Sequence, residues 1–122
     1  MKKLIVFLFA VGLLIGFTTD SFARRYSRRQ IRAVQNARRY LRNAGRARMR
    51  STIRRNLRMA KRAMYRAGNA GGYKYRIRGK IKSAMRALNR GNRGKYRAKR
   101  LARDAARYCT QALRRMRRGR RY

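Results

Sequence analysis

The chain has 122 residues, 39 Lys+Arg against 2 Asp+Glu, a formal net charge of +37, no His, Pro or Trp, and one Cys. With no imidazole and two carboxylates, acid–base catalysis and metal ligation have almost no side chains to run on. There is also no paired carboxylate, zinc spacing or phosphate loop, so the reading is a non-enzyme with no cofactor. Charge of this size opposes compaction and calls for a polyanionic partner.

Met1-Lys2-Lys3 is a short basic start, Leu4 to Phe17 is an apolar run of 14 residues, and Thr18 to Ala23 is more polar, with small residues at Ser21 and Ala23. That order predicts a secretory signal peptide over 1–23, cleaved after Ala23, and a secreted or periplasmic protein. The alternative is a retained membrane anchor. Fourteen apolar residues are few against the roughly 20 a span needs. Arg24, Arg25, Arg28 and Arg29 follow at once, and positive charge beside an apolar segment prefers the cytoplasmic side.

From Arg24 onward Leu, Ile and Val number ten and Phe is absent, so no sizeable core is expected and composition alone points to disorder. Periodicity points to helices. Ile31, Val34, Ala37, Leu41 and Ala44 form one helical stripe, and Met49, Ile53, Leu57, Ala60, Met64 and Ala67 a second. Ile77, Ile81, Ala84, Met85 and Leu88 form a third, and Leu101, Ala105, Cys109, Ala112, Leu113 and Met116 a fourth. Ser27 with Gln30 has the capping-box spacing. Turns are expected at 68–72 and 91–94, where glycines cluster. Gly45 is isolated, so about 28–67 reads as one helix, weak or bent there, with two shorter helices as the alternative, followed by helices over about 74–90 and 95–118. Gly45, Gly68 and Gly91 lie 23 residues apart, a degenerate helical repeat. The fold class is all-α: three or four amphipathic helices in a helical hairpin or loose bundle, ordered alone or only on binding.

Arg38, Arg42, Arg46, Arg50, Arg54, Arg58, Arg62 and Arg66 recur at a strict spacing of four. Like charges at that spacing each cost a helix roughly 0.2–0.5 kcal/mol, so the ladder invites an anion. Arg outnumbers Lys 31 to 8, and the guanidinium fork suits bidentate phosphate or carboxylate contacts. Arg114, Arg115, Arg117 and Arg118 add a basic end. Tyrosines sit beside basic residues throughout. Tyr73 and Tyr75, next to Gly71-Gly72, are the candidates for base stacking, whereas Tyr40, Tyr65 and Tyr108 lie near apolar stripes and are expected to pack. Cys109 is either a small buried hydrophobe or the site of an intermolecular disulfide in a homodimer. Asp104 is expected to pair within its helix, with Arg100 or Arg107.

In composition alone the chain resembles protamines and Arg-rich histone tails. The function expected is sequence-independent nucleic-acid binding through the phosphate backbone. The alternatives are a cationic, antimicrobial-like protein on an anionic lipid or glycan surface, and a structural matrix protein condensing anionic polymers.

Overall fold

The computed structural model describes residues 26–120; the expected signal segment 1–23 lies outside them. Ser27 starts the first helix as its spacing predicts. Its hydroxyl accepts from the Gln30 N–H at 3.2 Å, and Gln30 Oε1 accepts from the Ser27 N–H at 3.0 Å. Two donors that a helix start leaves free are thereby satisfied. This helix, α1, spans Arg28–Arg46; α2 spans Arg50–Tyr65, a 3-10 turn occupies Ala70–Gly72, α3 spans Lys74–Leu88 and α4 spans Asn92–Arg120. The fold is all-α, with no strand among the described residues.

The helices form a four-membered ring. α1 packs on α2, α2 on α3, α3 on α4 and α4 back on α1, leaving α1 and α3 diagonal. Neighbours run antiparallel, as ties at both ends of the bundle show. At one end the Tyr26 hydroxyl donates to Asn69 Oδ1 at 2.7 Å and accepts from the Gly71 N–H at 3.1 Å. At the other, Arg50 at the start of α2 donates to the Leu88 carbonyl at the end of α3.

Of the two readings of 28–67, the structure takes the alternative: two helices rather than one. The chain leaves α1 at Ala47, whose ψ of 145° is extended, and re-enters α2 at Arg50, so the break falls after Gly45 rather than at it. Gly45 remains helical, and the Arg103 side chain from α4 lies against it, its Nη2 donating to the Gly45 carbonyl at 2.9 Å. A straight 28–67 helix would leave both apolar stripes facing water. Folding back at 47–49 buries each against the other, and area removed from water outweighs the few backbone bonds lost. The turn at 68–72 forms as expected; Gly71 sits there at φ +65° with the α4 side chains Arg115 and Met116 close by. The second turn is displaced, ending at Gly91, and Gly94 belongs to α4.

The expectation of no sizeable core is also corrected. It counted large aliphatics, and the core is built from small ones: 13 of the 25 buried hydrophobic side chains among the described residues are Ala. Ala brings no rotamer entropy cost and lets helices approach closely. Leu41, Ile53, Leu57, Met64, Ile77, Ile81, Leu88, Leu113 and Met116 supply the bulk between them. Gly94 marks the closest approach: a Cβ there would lie 1.6 Å from the Ala87 carbonyl oxygen.

Candidate nucleic-acid interface

The fold puts its apolar stripes inward and its cations outward; no charged or polar side chain is buried among the described residues. The ion pair present among them is Arg107–Asp104, within α4 at 3.4 Å, one of the two expected partners. Exposed pairs of this kind contribute little, so the positive charge is left almost wholly without internal compensation.

The break at 47–49 divides the arginine ladder among three places. Arg42 and Arg46 of α1 face Arg103 and Arg107 of α4 across an open groove of about 330 Å³, which Ala106 and Thr110 also line. Arg38 extends this row. Burial, then the neighbouring charges of Arg42 and Arg117, lower its pKa, which brings Arg117 to the same side. Arg50 and Arg54 are turned to structural use. Arg50 caps the Leu88 carbonyl, with its Nε buried and unpaired, and Arg54 donates to Asn89 Oδ1 at 3.2 Å. Arg58 is exposed, and Arg62 and Arg66 line a separate hollow between α1 and α2 with Asn36, Tyr40 and Tyr65.

At the end of α4, Arg114, Arg117 and Arg118 are exposed. Arg115 is spent on the fold, donating to the Gly71 carbonyl at 3.2 Å and lying 5.5 Å over the Tyr73 ring. Arg50, Arg103 and Arg115 thus do one job at three places: each holds a backbone carbonyl on another segment of the chain. Those on Gly45 and Leu88 also lie at the negative ends of their helices.

Tyr73 is not an open stacking platform. It pairs with Tyr108 at 6.2 Å and is flanked by the Arg76 and Arg115 guanidiniums. Tyr75, in the first turn of α3, is 80% exposed and free to stack. Tyr40 and Tyr108 pack against the core as expected, but Tyr65 does not; it is exposed with Arg78 over its ring. Cys109 is fully buried in the core. Burial pushes its thiol up to about 12 despite the opposing charge of Arg38. A disulfide between two copies therefore has no sulfur at the surface to form from.

The reading of the sequence missed Arg103 and Arg107. Their spacing of four on α4 is the available signal, and only the pairing of α4 with α1 gives it meaning. No three His, Cys, Asp or Glu side chains gather among the described residues. The chain matches no known protein family, and neither a curated protein nor a solved structure is similar to it.

Proposed function

We propose that this chain is a non-enzymatic protein that binds nucleic acid by its phosphate backbone, without reading sequence. The observation that carries the reading is the α1/α4 groove, where Arg42, Arg46 and Arg107 converge beside Arg103, itself held on the Gly45 carbonyl, with Asp104 as the one carboxylate next to them. Side chains four apart on a helix rise about 6 Å, so each row sets its two guanidiniums about 6 Å apart along the groove. Phosphates in the groove relieve the repulsion between facing guanidiniums and release condensed counterions, both of which favour binding. On this reading residues 1–23 export the protein, so its partner is met outside the cytoplasm.

Adsorption to an anionic membrane is the competing reading. No described helix is long and apolar enough to cross a membrane, and among the described residues the large exposed hydrophobics are Met49, Tyr65, Tyr75 and Tyr96. Insertion of an amphipathic face requires that face to be free, and here the core occupies it. A matrix role linked through Cys109 meets the same obstacle.

The test is titration of the purified chain against duplex DNA, single-stranded RNA and anionic vesicles over a salt series, with helicity followed in parallel. Nucleic acid held at about 150 mM salt with a steep log–log slope supports the proposal. Equal binding to vesicles, or loss of all nucleic-acid binding at that salt, overturns it.

A further inference from the structure

On the opposite side of the ring, between α2 and α3, lies a second groove of different chemistry. It has a volume of about 390 Å³ and is lined by Lys61, Tyr75, Arg78, Gly79, Ile81, Lys82 and Met85. Its apolar lining is Ile81 and Met85, and Tyr75 stands one helical turn from Gly79 on the same face of α3. A side chain at 79 would meet nothing within 4 Å. Packing therefore gives no reason for glycine at this mid-helix position, where it costs about 1 kcal/mol relative to Ala. What its absent side chain provides is an open place beside the Tyr75 ring.

The rim is cationic. Lys61 approaches from α2 and Lys82 from α3, both exposed. Arg78 also lines the groove; it is half-buried, with its guanidinium 5.1 Å from the centre of the Tyr65 ring of α2. A flat apolar place beside an exposed aromatic ring, bounded by three cations, complements a planar ring that carries a phosphate. A bare phosphate or sulfate has no use for the tyrosine, and a lipid tail has no use for the three cations.

We infer that this α2/α3 groove takes an unpaired base of single-stranded nucleic acid, stacked on Tyr75 over Gly79 with its flanking phosphates on Lys61, Arg78 and Lys82. The inference rests on the nucleic-acid reading above and adds a strand preference to it. The α1/α4 groove offers no ring and binds any phosphate backbone. The α2/α3 groove demands a base that is not already paired, because a base inside a duplex presents no free face.

The test compares three probes on the full chain at about 150 mM salt: a thymidine 20-mer, an abasic strand of equal length, and a duplex. The parent protein binds the thymidine strand about tenfold tighter than the abasic one, the range expected of a single stacked base. Gly79→Met fills the gap without changing charge and strengthens the helix, so it folds. Tyr75→Ala removes the ring. Either variant reduces the preference to less than twofold and leaves duplex affinity within twofold. No preference in the parent, or a preference that survives both variants, overturns the inference and leaves phosphate binding standing. Failure of the parent to hold any of the three probes overturns both readings together.

Discussion

The α1/α4 and α2/α3 grooves sit on opposite sides of one bundle and are built from the same kind of helix, yet they differ in what they offer. The first presents four guanidiniums and little else but Ala106 and Thr110. The second presents two lysines, one arginine, an exposed tyrosine and a glycine gap. The difference shows that a uniformly basic composition does not make a uniform surface. Which helices meet decides whether neighbouring cations form a track for phosphates or a frame around something flat.

The comparison breaks most sharply if the first groove is neutralised. Replacing Arg42, Arg46 and Arg107 with Gln removes up to three phosphate contacts and leaves Arg103 on the Gly45 carbonyl. The salt slope for duplex DNA then falls by about two to three and affinity at about 150 mM by some 10²-fold, read by fluorescence anisotropy. Replacing Lys61, Arg78 and Lys82 with Gln costs the duplex less than it costs a single strand. Equal losses for both probes in both variants would reduce the two faces to one.

Next in size is a change that loosens the framework holding both faces. Gly94→Ala drives a methyl group into the Ala87 carbonyl; the α3/α4 contact must open, at a cost of about 3 kcal/mol in urea unfolding. Smaller again is the effect of alkali on the thiol beneath the arginine face. The folded state keeps the Cys109 proton until about 12. The stability this thiol contributes is complete below its ordinary value and is lost as pH rises through that window, by at most about 1.4 kcal/mol per pH unit. The difference in urea midpoint between parent and Cys109→Ala, followed from pH 8 to 11, isolates it from tyrosine and lysine titration. The smallest effect sharpens the comparison rather than breaking it: Asp104→Asn frees Arg107 and raises duplex affinity a few-fold, with no change in preference for thymidine over abasic strands.

What the sequence makes legible is local. The Ser27–Gln30 cap, the glycine turn at 68–72 and the four apolar stripes depend on neighbours a few residues away, and all appear in the fold except Met49, which heads the second stripe but is exposed before α2 begins. The bend at 47–49 does not announce itself, because Ala47, Arg48 and Met49 carry no turn chemistry. It exists because two stripes need each other, which is a tertiary demand. The alanine core is hidden for a related reason: one Ala buries little, and its value appears only when helices come close enough to touch. The candidate site is divided in the same way. Arg42 and Arg46 stand out in the sequence, but Arg103 and Arg107 join them only because α4 lies along α1. Tyr75 keeps its predicted exposure, while Tyr73 loses it to Tyr108.

The three connections between helices are short, and each contains a single basic residue: Arg48 in 47–49, Arg66 in 66–73 and Arg90 in 89–91. Trypsin-like proteases cut after such residues, but they need an extended stretch of backbone, which helices do not give and exposed loops do. Among the described residues, a chain so rich in Arg and Lys thereby offers, while folded, three accessible bonds between its helices. Limited digestion releases the four helices whole before it shortens any of them, and a bound strand that steadies the bundle lengthens the protein's survival wherever such proteases are met.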